Sequence, residues 1–284
     1  MLGRYAAKAL FSLFEEGLTG ERKMSNFKKD ILQENANKED VRLNRFLSDA
    51  GFCSRREADR LIEAGRVTVD GQKAELGTRV RRGQQVKVGN QLIRQNDRMV
   101  LIAFNKPRGI VCTTDRIREK NNIIDYIQYP ERIYPIGRLD KESEGLILLT
   151  NDGTIVNHIL KASQYHEKKY IVQVNRKITD DFIHGMSSGV PILDTVTRPC
   201  TLRKIDDYTF SIILTQGLNR QIRYMCRHFD YHVTKLKRVR IMNIRLGNLP
   251  IGKWRDVTAE ELEALKQQFI DNNRRNQTKR RKNR

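Results

Sequence analysis

The chain has 284 residues, of which 54 are Lys or Arg and 34 are Asp or Glu, so its formal net charge is +20 at pH 7. Apolar residues make up 38% of the chain, which is enough for a core and excludes a wholly disordered protein. No stretch approaches the roughly 20 consecutive apolar residues of a membrane-spanning helix, so no membrane association is expected. The four cysteines lie far apart without a CxxC pair, which indicates neither a zinc knuckle nor a disulfide framework and favours the cytoplasm.

The excess positive charge is concentrated in three segments. Residues 41–88 carry a net charge of +5, and residues 216–245 and 272–284 carry +7 each. Clustering of this kind is typical of proteins that bind a polyanion, although a solvated basic surface is the simpler alternative. No basic amphipathic helix with bulky apolar anchors accompanies the clusters, so nucleic acid is favoured over a membrane surface.

Residues 1–40 carry no sustained apolar periodicity, and we expect them to form a mobile N-terminal extension. The first clear helix comes next and is predicted to end at Gly51. Its apolar residues recur at i, i+3, i+4 and i+7, and they are Leu43, Phe46, Leu47 and Ala50.

A second helix and a hairpin follow. Ser54 and Glu57 have the spacing of a capping box, and Asp70-Gly71 predicts a tight hairpin turn. Arg55 and Arg56 fall at the first helical positions, where the helix dipole disfavours each cation by about 0.3–1 kcal/mol. Because the exposed amides there bind phosphate, this placement favours contact with a nucleic acid backbone, with two solvated arginines as the alternative.

The block at residues 41–90 resembles the S-four type RNA-binding domain. The matching segments are residues 42–47, Gly51, residues 54–58, Ile62, Gly65 and residues 67–71. The resemblance implies a small α/β module that binds structured RNA through its phosphates and its shape, with an affinity that falls steeply as salt is raised. Its candidate RNA contacts are Arg42, Arg45, Arg55 and Arg56.

Residues 91–98 are polar and are predicted to be a linker, and a larger domain is predicted at residues 99–271. Its predicted strands are at residues 100–104, 145–150, 169–174 and 209–215. Its predicted helices are at residues 154–161, 179–187, 219–229 and 259–269. Because strands and helices alternate without regular βαβ spacing, we expect an α+β fold with a mixed, largely antiparallel sheet and flanking helices. The basic segment 272–284 is expected to be a disordered tail.

A glycine-bounded loop between two apolar runs carries the first candidate catalytic residue. Asp140 lies within residues 135–145, where a rigid scaffold can present it in a cleft. A solvated turn residue is the simpler interpretation. A glycosidase-like pair of Asp140 with Glu142 or Glu144 also stays open, because sequence separation does not give the distance between carboxylates.

Two later segments carry candidate polar residues. Tyr170 enters an alternating strand, where core packing is the simpler interpretation. In the helix predicted at residues 219–229, Asn219 is the expected N-cap and the apolar residues share one face. The arginines of that segment share the opposite face at i, i+3 and i+7, and they are Arg220, Arg223 and Arg227.

Taken together, these segments resemble a pseudouridine synthase of the small ribosomal branch. Gly137–Asp140 resembles the catalytic aspartate motif of that family, and Lys169-Tyr170 its tyrosine motif. Residues 219–223 resemble the basic motif of the family. Lys235-Leu236 with Arg238 resembles the short motif that follows it. Residues 106–109 (Lys-Pro-Arg-Gly), residues 146–153 and the upstream S-four block narrow the resemblance to this branch.

The resemblance implies a monomeric cytoplasmic isomerase that converts a uridine of large-subunit ribosomal RNA, or also of a tRNA stem-loop, to pseudouridine. Asp140 would act on the ribose, as a nucleophile or as a base. Arg223 would keep Asp140 charged, and Tyr170 would stack on the uracil. The other candidate RNA contacts are Arg138, Arg220, Lys106, Lys235 and Arg238. Because a C–N bond is exchanged for a C–C bond, no cofactor is implied.

The sequence also allows three alternative interpretations. His228 and His232 have an i, i+4 spacing that can hold zinc, with Cys226 nearby, but the HExxH glutamate is missing and Asp230-Tyr231 is expected to end the helix. No metal site is therefore predicted. A non-catalytic RNA-binding ribosome-assembly factor would not need Asp140, and a glycosidase-like hydrolase would release free base or sugar.

Overall fold

The structure is a computed structural model that describes residues 40–94, 99–115, 118–160 and 165–282, with side chains up to Asp271. It divides into two compact units. The first contains the described residues up to Val100 together with Tyr129–Ile133 and Thr150–Ile155, and the second contains the other described residues. The extension expected at residues 1–40 lies outside the described residues except for Asp40.

The first unit contains the small α/β module. Its helices are α1 Leu43–Asp49 and α2 Arg55–Glu63. Its strands are β1 Asp40–Arg42, β2 Val67–Val69, β3 Gln72–Lys73, β4 Arg79–Arg81, β5 Val86–Val88 and β6 Gln91–Ile93. Strands β1 and β4 pair with each other, and the other four form a sheet in the order β3-β2-β5-β6 with antiparallel neighbours.

Local sequence signals explain these elements. The Ser54 hydroxyl accepts a hydrogen bond from the Glu57 amide at 3.1 Å, as the capping box predicts. Asp70 and Gly71 have φ values of 50° and 81°, the left-handed pair that a two-residue hairpin turn requires. Both helices and strands β2, β4 and β5 bury apolar residues in one cluster, so this module has its own core. Its buried residues include Leu43, Leu47, Ala58, Ile62, Val67 and Val86.

From residue 101 onward the chain builds a larger sheet with flanking helices. Its strands are β7 Leu101–Lys106, β8 Tyr134–Pro135, β9 Glu144–Thr150, β10 Lys168–Val174, β11 Pro191–Ile192, β12 Thr195–Val196, β13 Thr201–Lys204, β14 Thr209–Leu214, β15 Val233–Ile241, β16 Ile244–Arg245 and β17 Trp254–Asp256. Its helices are α3 Ile123–Ile127, α4 Gly153–Leu160, α5 Asp180–Ser188, α6 Gln221–His228 and α7 Ala259–Lys282.

Nine of these strands form one mixed sheet. Its main path is β13-β14-β10-β15-β9-β7-β17, with β16 beside β15 and β8 beside β9. The pairs β13–β14, β14–β10, β10–β15 and β7–β17 are antiparallel, whereas β15 and β9 are parallel. The prediction of a mixed, largely antiparallel sheet is therefore confirmed. Helices α5 and α6 bury Phe182, Met186, Ile222 and Met225 against the β14–β10–β15 half of this sheet.

Three boundaries differ from the expectation. Residues 91–93 form β6 instead of the start of a linker, because Ile93 is buried and pairs with Val86. The backbone of residues 272–282 continues helix α7 where a disordered tail is expected. Asn219 is not the N-cap of α6; Arg220 holds that position with a φ of 46° and without a side-chain cap. Among the described residues, no helix is long and apolar enough to cross a membrane.

The parallel junction between β9 and β15 depends on one glycine. Gly145 pairs with Arg238 and has a φ of 102°, a conformation that L side chains rarely adopt. A Cβ at this position would collide with the carbonyl oxygen of Arg238 and would lie 2.8 Å from its backbone nitrogen. Both colliding atoms belong to the backbone of a central strand, so neither can move aside without disturbing the sheet.

We therefore expect Gly145→Ala to lower the free energy of unfolding by about 1–3 kcal/mol, the usual cost of strained backbone, or more if the two strands separate. The matched control is Gly217→Ala, because Gly217 has an ordinary φ and a Cβ added to it would meet no atom within 4 Å. Urea unfolding followed by circular dichroism measures both. Equal midpoints for the two variants would contradict the close approach at this junction.

Candidate active site

A cleft of about 1010 Å³ opens on the second unit and is lined by five of the candidate residues from separate parts of the sequence: Arg138, Asp140, Tyr170, Arg220 and Arg238. One wall is the loop between β8 and β9, which carries Arg138 and Asp140. The opposite wall is the end of β14 and the start of α6, which carries Arg220. The floor comes from the neighbouring strands β10 and β15, which contribute Tyr170 and Arg238.

Asp140 lies in this cleft between two guanidinium groups. Its Oδ2 atom is 3.8 Å from Arg223 Nε and 3.9 Å from Arg220 Nη1. The Asp140 side chain is 31% exposed, so it faces the cleft without being fully solvated. Both distances exceed a normal hydrogen bond, so the arginines stabilise the negative charge while the carboxylate oxygens stay open to a ligand.

Arg223 is held rigidly behind the carboxylate. Its Nη2 group donates to the Glu142 carbonyl oxygen and to the Ser143 hydroxyl, both at 3.3 Å, and only 15% of its side chain is exposed. Its Nε atom is buried and has no hydrogen-bond partner. Burial lowers the pKa of the Arg223 guanidinium from its ordinary value, and the positive charge of the neighbouring Arg220 lowers it further. The negative charge of Asp140 opposes this effect. The predicted pairing of Arg223 with Asp140 is thus present in the structure.

Lys106 lies beneath the loop that carries Asp140. Its side chain is fully buried, and its ammonium donates to the carbonyl oxygens of Pro107 and Ser143 at 2.8 Å and of Lys141 at 3.4 Å. Desolvation lowers the pKa of this ammonium. The prediction that Lys106 contacts RNA is therefore wrong, because a fully buried group cannot reach it. Lys106 instead ties the end of β7 to the loop that precedes β9, the loop that carries Asp140.

The floor of the cleft is built from paired positions on β10 and β15. Tyr170 lies opposite Arg238, and Lys168 is two residues before Tyr170 on β10. Arg238 is 3% exposed, so it is a buried part of the floor. The prediction that Arg238 is an exposed RNA contact is therefore wrong. Its Nε donates to the Leu146 carbonyl oxygen at 2.7 Å, whereas its Nη2 is buried without a partner.

The remaining sequence candidates lie elsewhere. Lys235 is exposed on β15 and is not part of the cleft lining. Arg42, Arg55 and Arg56 are exposed on the first unit. Arg45 is half-buried there, with its Nε 3.0 Å from Asp49 Oδ2 and its Nη2 donating to the Thr154 hydroxyl.

Two alternative arrangements that the sequence analysis weighed, a carboxylate pair and a cluster of metal-ligating side chains, are not assembled among the described residues. Glu142 pairs with Arg108 at 3.0 Å on an exposed surface, and neither Glu142 nor Glu144 belongs to the cleft lining, so the carboxylate pair with Asp140 is absent there. Within the described part of the chain, no three His, Cys, Asp or Glu side chains are grouped as metal ligands would be.

Several residues of the cleft are not predicted from the sequence. Lys168 could have been found from its spacing, because it lies two residues before Tyr170 and such residues share a face of a sheet. Ser143, which bonds Arg223, and Cys112, whose sulfur accepts from the Leu139 amide at 3.4 Å, carry no such signal. No local sequence pattern marks these two, because their contacts join distant segments.

Comparison with known proteins agrees with this geometry. A family model described as RNA pseudouridylate synthase matches residues 100–228, and a model of the S4 domain matches residues 41–86. A solved structure titled as a pseudouridylate synthase superimposes with a TM-score of 0.59 at 25% identity, over 79% of this chain and 99% of that one.

Curated relatives cover most of the chain. The dual-specificity RNA pseudouridine synthase RluF of Escherichia coli (strain K12) is 55% identical over 224 residues, which are 78% of this chain and 77% of that protein. The ribosomal large subunit pseudouridine synthase B of Bacillus subtilis (strain 168) is 30% identical over 79% of this chain and 95% of its own length. With the S4 domain, the mixed sheet and the cleft around Asp140 in place, the resemblance found in the sequence is confirmed, and the chain belongs to the RNA pseudouridylate synthase family of isomerases.

Proposed function

We propose that this RNA pseudouridine synthase modifies a uridine of large-subunit ribosomal RNA and also a uridine in a tRNA stem-loop of similar shape. The names of two relatives support this target: one is called a dual-specificity RNA enzyme and another a large-subunit enzyme. We propose that the chain works in the cytoplasm as a monomer.

The observation that carries the proposed mechanism is the carboxylate of Asp140 held 3.8 and 3.9 Å from two guanidinium groups in a cleft. Arg223 and Arg220 place two positive charges next to this carboxylate. An ionised carboxylate can attack the anomeric carbon C1′ or remove a proton from C2′, and both routes break the bond between C1′ and N1 of the uracil. The base then turns and rejoins C1′ through its carbon 5, which finally loses its proton.

A uridine can reach this cleft only after it leaves its stack, which costs a few kcal/mol and least in loops and bulges. Arg138 lies on the loop beside Asp140 and lines the cleft, where it can occupy the space that the nucleotide vacates or hold the extruded nucleotide. Tyr170 lines the floor, where its ring can stack on the uracil and its hydroxyl can assist removal of the carbon-5 proton. Arginines at the rim, such as Arg220, and the exposed Lys235 contact phosphates.

The two competing functions lack comparable support. A hydrolase of the glycosidase type needs a second carboxylate, and Asp140 is the only carboxylate among the described residues that line the cleft. A non-catalytic assembly factor would need only the S4 module, whereas the chain belongs to a family of isomerases whose model spans residues 100–228.

We expect Asp140→Asn to reduce conversion of uridine by about a thousandfold or more, because the amide can neither attack C1′ nor accept a proton. RNA affinity should change little. Conversion is measured on an unmodified large-subunit ribosomal RNA transcript by mass-shift labelling of pseudouridine, and affinity by filter binding.

The matched control is Glu142→Gln, which removes an exposed carboxylate two residues away and should leave conversion within about twofold of the unmodified chain. An active Asp140→Asn variant would refute the assignment of Asp140. Free uracil among the products would instead support a hydrolase.

Arg55→Ala combined with Arg56→Ala should weaken RNA binding and reduce the slope of log affinity against log salt by about 1 for each phosphate that is no longer bound. Both side chains are exposed at the start of α2, so the fold should not suffer. Arg60→Ala is the control, since Arg60 lies in the last turn of the same helix and pairs with Glu57 at 3.2 Å. Equal slopes for the double variant and the control would argue against phosphate binding at the helix start.

The target itself is tested by mapping pseudouridines in ribosomal RNA and tRNA from cells with and without the gene. We expect at least one position in each RNA class to lose its pseudouridine when the gene is deleted. Loss in one class alone would contradict the dual specificity, while leaving the isomerase activity intact.

A further inference from the structure

The cleft floor contains a second cationic group that the mechanism above does not use. Lys168 lines the cleft and shares a strand face with Tyr170, the residue proposed to stack on the uracil. Arg238 lies opposite Tyr170 on β15 and is 3% exposed, with an orphaned Nη2 group. Two cations therefore lie beside the proposed position of the base.

The ammonium of Lys168 is almost unpartnered within the protein. Its one hydrogen bond is a long one of 3.4 Å to the His166 carbonyl oxygen. Among the described residues, no carboxylate lies within ion-pair distance of it; the nearby acid Glu167 pairs instead with Arg240 at 2.8 Å. Because a partly buried cation without an anion is costly, the site is built for a negative charge that the protein does not supply.

Bond breaking creates such a charge. When the bond between C1′ and N1 of the uridine breaks, its electron pair stays on N1, and the base becomes an anion whose charge is shared by N1, O2 and O4. The ribose remains bonded to Asp140 or has lost its C2′ proton to it, according to the route. No oxidant, reductant or further reactant is needed.

We infer that the ammonium of Lys168 contacts the uracil as it leaves the ribose and stabilises the anion that forms, with Arg238 adding positive charge from beneath the floor. The inference rests on the proposed function, since it assigns a catalytic residue to the same reaction. A role at the uracil also accounts for the position of Lys168 on the floor beside Tyr170, whereas the RNA-binding candidates Arg138 and Arg220 lie on the walls of the cleft.

The surroundings of Lys168 lower its pKa into the range that a pH profile of the reaction rate covers. Burial, and to a lesser extent Arg238, lower the pKa of Lys168 to about 8. Lys168 is thus mostly charged at pH 7 and loses its proton as the pH rises through about 8. The titratable and charged side chains that line the same cleft are Cys112, Tyr134, Arg138, Asp140, Lys141, His166, Tyr170, Arg220 and Arg238.

The test is the single-turnover rate of pseudouridine formation on an unmodified large-subunit ribosomal RNA transcript. Lys168→Met keeps the length of the side chain and removes its charge, and we expect it to slow the reaction by about 10²–10³-fold, the usual effect of losing one preorganised charge-stabilising donor. RNA affinity and thermal stability should stay unchanged. The matched control is Lys169→Met, which removes the adjacent lysine that does not line the cleft.

The conservative variant separates charge from packing. Lys168→Arg should recover most of the rate, and its rate should no longer fall as the pH is raised from 7 to 9, because a guanidinium keeps its proton. In the unmodified chain the rate should fall above pH 8. If the role of Lys168 were purely structural, Lys168→Arg would leave this fall in rate above pH 8 unchanged.

A substrate whose departing base needs less stabilisation by a positive charge gives an independent readout. In RNA transcribed with 5-fluorouridine the fluorine stabilises the departing base anion, so Lys168→Met should slow cleavage of the glycosidic bond much less than in normal RNA. A full rate in Lys168→Met, or an equal loss with both RNAs, would overturn the inference. A weaker affinity with a lower salt slope and an unchanged rate would assign Lys168 to a backbone phosphate, which also overturns it.

These outcomes are distinguishable from failure of the proposed function. If the unmodified chain forms no pseudouridine in the ribosomal transcript or in tRNA transcripts, the proposed function fails and the inference fails with it. If the unmodified chain is active and Lys168→Met is equally active, only the role of Lys168 is lost.

Discussion

The cleft depends on one buried ammonium. Lys106 donates to the backbone carbonyl oxygens of Lys141 and Ser143, which follow Asp140 in its loop, and to that of Pro107 at the end of β7, and it does so without any exposure to solvent. A buried cation is tolerated only where fixed dipoles surround it, so the loop can hardly open without leaving that charge unsolvated. The position of Asp140 relative to Arg223 follows from this constraint, because the same loop also supplies the Ser143 hydroxyl that holds Arg223.

Positive charge serves two different purposes in this chain. On the S4 module the arginines other than the half-buried Arg45 are exposed, where their attraction to phosphate is long-ranged and screened by salt. In the cleft, Arg223, Arg238 and Lys168 are buried wholly or in part, where each charge acts at short range on one group. The net charge of +20 does not distinguish these two groups of cations. They are told apart only by the solvent exposure of each residue.

Much of the fold could be predicted from local patterns. The first two helices, the hairpin at Asp70-Gly71 and strands β7, β9, β10 and β14 each carry a periodicity or turn signal, and the motif around Asp140 indicated the cleft. Strand β15 is not predicted because its run of lysines and arginines hides its alternation. The prediction for Lys106 fails for a related reason: a lysine in a basic protein suggests phosphate contact, and only the tertiary structure reveals that its ammonium is buried.

The rigid support of Asp140 also determines what the RNA must contribute. Because the carboxylate and its guanidinium partners are already assembled, the main rearrangement on binding falls to the nucleic acid. Each 1.4 kcal/mol needed to extrude a nucleotide lowers the occupancy of the cleft about tenfold, so a uridine in a loose bulge is preferred over one in a regular helix. Selection among uridines would then depend on how easily the RNA deforms, and two RNAs of unrelated sequence could both be substrates if their folded shapes expose a uridine alike.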